Sequence, residues 1–170
     1  MGALYYCPYC HTIYDNITKS NEKYIMCPKG SCYGHLFEVD ENMVYILDIL
    51  NKKGYETVFH CAGHAYEDYS YSKEKNLFMG AYIEFAPNVN FSENSLKTLP
   101  QEWVYHIAGE HKASRYELRL MLPFAKDCHT NIYSQAILHA AICNANMMLL
   151  QWVIQLPLCG ECQTEEKNDE

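Results

Sequence analysis

The sequence predicts an α+β protein, in which a small cysteine-rich unit precedes an antiparallel four-stranded sheet packed against two main helices. Three observations support this fold class. Four cysteines in two short turns occupy the first 32 residues, and four β-prone segments follow one another between residues 55 and 122. A segment of helical periodicity precedes these strands, and a long apolar segment follows them. Consecutive antiparallel strands flanked by helices are typical of α+β domains with the helices on one face of the sheet.

Two pairs of cysteines define the N-terminal unit. Cys7 and Cys10 form a C-x2-C pair, and Cys27 and Cys32 form a C-x4-C pair further along. This arrangement is typical of a zinc ribbon, in which two turns each supply two thiolates to one tetrahedral Zn²⁺. Four cysteines leave no open coordination position, so we expect a structural ion that replaces the core that so short a unit lacks. We place the zinc ribbon at residues 1–38.

The second unit, at residues 39–158, follows from periodicity and turn residues. Asp40 is the predicted N-cap of a first helix that ends at Lys53-Gly54. Four strands and one short helix are predicted next, with the strands at 55–61, 78–86, 103–108 and 116–122 and the helix at 92–99. A second main helix, apolar on most faces, is predicted at 131–155 and ends before Pro157. Residues 159–170 form a C-x-x-C pair and an acidic tail.

Charge and composition restrict the function and the location. The 170 residues carry a net charge of -8 without any basic tract. Affinity for phosphate backbones comes mainly from Lys and Arg, so we expect no generic nucleic-acid binding. The chain begins without the basic and apolar regions of a secretory signal, which predicts a cytoplasmic protein. The apolar stretch at 132–154 contains several amides and lacks basic flanks, so we interpret it as a buried helix and expect no membrane association.

A second candidate site lies where the first strand of the sheet ends, in Cys61-Ala62-Gly63-His64. A Cys-x-x-His pair could bind a metal, or it could place a thiol beside an imidazole base; the segment could equally be a tight turn with a buried cysteine. Cys159 and Cys162 could complete a second metal site with Cys61 and His64, or with Cys128 and His129. They could also form a reducible dithiol or have no role.

A tyrosine-rich acidic loop is the third candidate. It contains Tyr66, Glu67, Asp68, Tyr69 and Tyr71. Tyrosine is favoured at recognition surfaces, and acids would steer a basic partner surface toward the loop. The alternative interpretation is a solvated extension of a hairpin.

Support for catalysis is weak, because nucleophile-elbow, Walker A, dinucleotide-binding and H-E-x-x-H motifs are absent from the sequence. Arg115 and Arg119, the only arginines, could bind an anion or pair with acids on a neighbouring strand. We therefore expect a protein that binds rather than catalyses, with Cys61 and His64 as weak catalytic candidates.

The chain resembles small, largely uncharacterised zinc-ribbon proteins of Gram-positive bacteria and their phages. The resemblance rests on the two cysteine pairs, on Lys53-Gly54-Tyr55-Glu56-Thr57 and on the Cys61–His64 segment. It implies a ribbon followed by an α+β unit, and it implies no settled activity. With the acidic charge and the tyrosine-rich loop, it favours a phage-type inhibitor or regulator of a host nucleic-acid-handling protein, such as a defence nuclease. The alternative is an enzyme or a nucleotide- or RNA-ligand-binding domain that uses the Cys61–His64 turn.

Overall fold

The computed structural model describes residues 4–15, 17, 25–63, 70–72, 77–107, 116–123 and 132–160. The N-terminal elements are β1 (Leu4–Cys7), β2 (Thr12–Tyr14), β3 (Ile25–Met26), β4 (His35–Val39) and α1 (Glu41–Lys52). The remaining elements are β5 (Thr57–Cys61), β6 (Ser70–Ser72), β7 (Leu77–Phe85), α2 (Glu93–Lys97), β8 (Trp103–Ile107), β9 (Tyr116–Pro123) and α3 (Ile132–Gln155). The predicted α+β class with antiparallel sheets is confirmed.

The N-terminal sheet has the strand order β2-β1-β4-β3, and β1, one of its two central strands, was not predicted from the sequence. Successive side chains of a strand point to opposite faces. Accordingly, Tyr5 and Cys7 lie in a small core with Cys27 and Leu36, whereas Tyr6 belongs to the main core of the protein. Strand β1 therefore joins the cysteine-rich unit to the rest of the fold.

The main sheet contains the four predicted strands in the order β5-β7-β9-β8, all paired antiparallel, and a fifth short strand that the prediction missed. This fifth strand, β6, lies in the segment expected to be a loop. Strand β5 pairs with β7 only from Tyr82 to Phe85, whereas β6 pairs with β7 from Leu77 to Met79. The length of β7 leaves backbone groups beyond β5, and β6 satisfies them.

Helix α1 begins and ends close to its predicted limits. Asp40 occupies the N-cap position, but its side chain does not cap the helix. Asp40 Oδ2 accepts a hydrogen bond from the backbone N–H of Ala62 instead, at 3.3 Å. At the other end, Gly54 has a φ of 87°, a left-handed conformation that glycine adopts without steric cost and that ends many helices.

One side of helix α3 lies in the main core. Leu138, Ile142 and Leu149 share this core with buried residues of α1 and with the sheet residues Ile83 and Leu118. By length and composition, the segment Ala136–Gln155 could cross a membrane, and it is the one such helix in the described part of the chain. The contacts of its inner side with the core are compatible with a helix of a soluble protein.

Candidate metal centre

The four cysteines of the two predicted pairs lie together between the two turns of the N-terminal unit. All four Sγ atoms lie within 4.8 Å of one another, and this is the only such group of potential metal ligands among the described residues. The Sγ atoms of Cys7 and Cys32 are 3.6 Å apart, and those of Cys10 and Cys27 are 3.7 Å apart. The four thiols could therefore hold a metal ion.

Neighbouring polar groups support the sulfur atoms. The backbone N–H of Gly34 donates to Cys32 Sγ at 3.4 Å, and the Tyr14 hydroxyl lies 3.1 Å from Cys27 Sγ. The contact with Cys27 raises the pKa of Tyr14, so the hydroxyl keeps its proton and can donate it to a thiolate. Donors around a metal ligand orient it and stabilise its anionic form.

The protonation of the cysteines differs with their surroundings. The hydrogen bond with Thr12 lowers the pKa of Cys10 to about 6, whereas burial raises the pKa of Cys7 to about 12. Cys10 thus reaches its thiolate form at a lower pH than Cys7, and Cys7 needs a nearby cation to offset the cost of burying its charge. Because metal binding releases the remaining protons, metal affinity falls as the pH falls.

The second turn approaches the first so closely that it requires a glycine. A Cβ atom on Gly34 would lie 2.8 Å from Cys7 Sγ and 2.9 Å from Tyr9 Cβ, closer than such atoms approach in proteins. The backbone N–H of Cys27 donates to the carbonyl oxygen of Gly34 at 2.8 Å, which holds the turn in place. The two turns are therefore packed against each other around the sulfur atoms.

Two aromatic side chains point away from the cysteines into solvent. Tyr9, between the first two cysteines, is 79% exposed, and Tyr33, directly after the fourth, is 86% exposed. We call these two tyrosines the knuckle face. His11, directly after the first cysteine pair, is not part of this face, because its Nδ1 lies 2.9 Å from the Tyr6 hydroxyl. Its backbone is left-handed, with a φ of 52°.

The structure does not bring Cys61 and Cys159 together. Ala62, next to Cys61, bonds to Asp40 at the start of α1, whereas the N–H of Cys159 donates to the carbonyl oxygen of Lys53 at the end of α1. The 12 residues of α1 separate these points by about 18 Å. His64, Cys128, His129 and Cys162 lie outside the described residues.

The Cys61–Gly63 turn is held by hydrogen bonds on two sides. Besides the bond from Ala62 to Asp40, the side-chain amide of Asn146 on α3 donates to the carbonyl oxygen of Ala62 at 3.1 Å. Gly63 has a φ of 86°, which a residue with a Cβ adopts only with strain. These bonds fix the end of β5 at the first turn of α1.

Sequence reasoning did not predict a buried polar cluster on the face of the main sheet opposite to the core residues Ile83 and Leu118. Glu84, Glu117 and His106 lie directly opposite one another on β7, β9 and β8, and both carboxylates are at most 3% exposed. Glu117 Oε1 lies 2.7 Å from His106 Nε2 and 2.6 Å from Arg119 Nη2. The alternation Glu117-Leu118-Arg119-Leu120 predicts a polar face of β9, and this was the available signal.

Comparisons with known proteins give no relative: no family model, curated protein or solved structure matches the chain. The resemblance to bacterial and phage zinc-ribbon proteins therefore stays a prediction based on motifs. Of the predicted loop residues, Tyr66, Glu67, Asp68 and Tyr69 lie outside the described residues. Tyr71 lies in β6, opposite Phe78 of β7.

Proposed function

We propose that the chain is a zinc-stabilised binding protein whose knuckle face contacts a protein partner. A Zn²⁺ ion with Zn–S bonds of about 2.3 Å in tetrahedral geometry places its sulfur ligands about 3.8 Å apart. The separations of 3.6 and 3.7 Å fit this geometry. Thiolate ligands favour zinc over the harder divalent cations, and four of them leave no position for a substrate, so the ion is structural.

The exposure of Tyr9 and Tyr33 is the observation that carries the proposal. Tyr9 lies between the two cysteines of the first pair, and Tyr33 directly follows the second pair. A metal bound by these cysteines would therefore hold the backbone of both tyrosines in place while their rings remain in solvent. A rigid exposed tyrosine buries a large surface on binding and loses few torsional degrees of freedom. Such residues are frequent energetic centres of protein interfaces.

The charge of the chain favours a basic partner surface. A net charge of -8 accelerates association with positively charged surfaces, which are characteristic of nucleic-acid-binding proteins. The proposal is therefore a phage-type inhibitor or regulator of a host nucleic-acid-handling protein, such as a defence nuclease. In this proposal Tyr66, Tyr69 and Tyr71 also contact the partner, as the sequence predicts.

A second candidate function is favoured by the Cys61 turn. Cys61 lies opposite Tyr82 on β7, which in turn lies opposite Arg119 on β9, next to the row of Glu84 and Glu117. This arrangement gathers a thiol, a phenol and a guanidinium on one sheet face. A ligand-binding or catalytic site for a nucleotide or RNA would use these groups.

Affinity capture separates the two functions. We expect the tagged full-length protein to recover a specific partner from a nuclease-treated host lysate. The Tyr9→Ala/Tyr33→Ala variant should recover at least tenfold less, because each exposed tyrosine in an interface contributes about 2 kcal/mol. Recovery is measured by quantitative mass spectrometry. Nuclease treatment ensures that the partner is retained by the protein and not through nucleic acid.

Two variants serve as controls for this capture. Tyr45→Ala removes a tyrosine that is also exposed, but on α1, and should leave recovery unchanged. Cys61→Ser should likewise leave it unchanged. A parallel capture from an untreated lysate tests the second candidate. If the wild type retains RNA or a nucleotide there, Cys61→Ser abolishes that retention, and the loss of both knuckle tyrosines has no effect on protein recovery, the second candidate function replaces the first.

A further inference from the structure

The outward side of α3 carries a seven-residue repeat. Three apolar or small residues recur at this interval, Ala140, Met147 and Ile154, and all three are exposed. A second series repeats at the same interval, three residues before the first, and comprises Ile137, Asn144, Gln151 and Leu158. All four are exposed, and the last one lies just beyond the end of the helix. Two such series, spaced alternately by three and four residues, form the contact line of paired helices. We call these seven residues the α3 seam.

The other side of α3 is already occupied. Leu138, Leu149 and Trp152 lie in the main core, and Trp152 Nε1 donates to the carbonyl oxygen of Ser95 at 2.9 Å. A helix that is apolar around its whole circumference is normally buried on all sides. Among the described residues, however, nothing covers the seam, where Met147 and Ile137 are each 62% exposed.

The absence of charge on α3 indicates what could cover the seam. The 24 residues of the helix contain no Asp, Glu, Lys or Arg, although the chain as a whole carries a net charge of -8. Positions beside a seam usually carry charges that select a different partner or reject a second copy. Here Ala141, Met148 and Leu150 occupy such positions, so identical helices can approach without repulsion.

A lipid surface fits the seam less well. Helices that lie on membranes normally combine an apolar face with Lys or Arg on the polar side, and α3 has neither of these cations. The contacts of Trp152 and of Asn146 with the core also prevent α3 from leaving the fold to cross a bilayer.

We propose that the α3 seam pairs with the same seam of a second copy, forming a two-fold dimer. Residues 137–158 extend over about 33 Å, and a helix is about 10–12 Å wide, so each copy contributes on the order of 400 Å². The total of about 800 Å² is below the roughly 1,200–2,000 Å² of stable specific interfaces and in the range of weak, transient ones, so we expect a reversible dimer of micromolar rather than nanomolar affinity. Asn144 and Gln151 supply uncharged amides that hydrogen-bond within the contact and fix its register.

Sedimentation equilibrium of the full-length, metal-loaded protein between about 1 and 100 µM tests the dimer. We expect a mass that rises with concentration toward about 40 kDa, twice the 19.8 kDa of one chain. The Met147→Glu/Ile154→Glu variant places two like charges in the contact and should weaken dimerisation at least about 100-fold. The matched control, His139→Glu, adds a charge at an exposed position of α3 that lies neither in the seam nor in the positions flanking it, and this variant should dimerise like the wild type.

Circular dichroism of both variants verifies that the fold is retained. A wild-type mass of 19.8 kDa across the whole range would overturn the proposal. So would a dimer that persists in the folded Met147→Glu/Ile154→Glu variant. If the wild type is monomeric and cosediments with neutral phosphatidylcholine vesicles, and the Met147→Glu/Ile154→Glu variant does not cosediment, the seam binds a lipid surface instead of a second copy.

Discussion

Replacing Cys27 by serine is expected to abolish metal binding and to unfold the N-terminal unit while the main sheet persists. Cys27 is buried, and its Sγ lies 3.7 Å from that of Cys10. The small core around it contains few residues other than cysteines and tyrosines, so the metal supplies most of its stability. In such sites the binding free energy, on the order of 10 kcal/mol, is folding free energy. Hydrogen exchange should show loss of protection in β1 to β4 of Cys27→Ser.

The matched control is Cys143→Ser, on α3. Cys143 is also free and partly buried, but it contacts Asn42 and His139 rather than the other ligands. We expect its metal content and its exchange pattern to match the wild type. Equal metal content in Cys27→Ser and Cys143→Ser would contradict the assignment of Cys27 as a ligand.

Replacing Arg119 by leucine is expected to lower the free energy of unfolding by about 2–3 kcal/mol, because it removes one of the two groups that lie against the buried Glu117 carboxylate, the other being His106. The remaining charge is that of Glu117, which is 1% exposed and whose Oε1 lies 2.6 Å from Arg119 Nη2. A second carboxylate, Glu84, lies directly opposite and increases the cost. Urea denaturation measures the change.

A double-mutant cycle separates the charge effect from lost packing. Adding Glu117→Gln to Arg119→Leu removes the uncompensated charge and should recover part of the stability. Lys97→Leu is the control for an exposed pair: Lys97 and Glu93 are 3.8 Å apart with both side chains in solvent, so we expect a loss below about 1 kcal/mol. If Arg119→Leu costs no more than Lys97→Leu, the buried cluster does not stabilise the fold.

The features that the sequence predicts correctly depend on local signals. Paired cysteines at short spacing form turns by themselves, and their grouping in the structure follows that spacing. Gly54 ends α1 because a left-handed residue acts within one turn of the helix, and Asp40 occupies the predicted N-cap position although its side chain bonds elsewhere. The four predicted strands and α3 lie within a few residues of their predicted limits, and the signal was strongest for β7, β9 and α3, in which the pattern extends over eight or more residues.

The features that sequence reasoning missed depend on distant partners. Strand β1 forms because β2 and β4 pair with it on both sides, and β6 forms because β7 extends beyond β5. The Asp40 side chain bonds to Ala62 and not to its own helix, a contact that spans 22 residues. Glu84 and Glu117 become neighbours only through the register of β7 and β9. No local sequence pattern predicts these pairings.

In helix α3, one property was predicted correctly from the sequence and another could be recognised only in the structure. Its apolar character predicted a buried helix, which is correct for the side that includes Leu138 and Trp152. The seven-residue repeat is visible in the sequence, but only the structure shows that it lies on the side of the helix that does not face the core.

Native mass spectrometry of the full-length protein, purified without added metal, tests the central claim most directly. The account predicts one zinc ion per chain, retained at neutral pH and lost on acidification as protons displace the ion from the thiolates. The mass of Cys27→Ser should correspond to the metal-free chain. A wild-type protein that contains no metal, yet keeps β1 to β4 protected from hydrogen exchange, would contradict it.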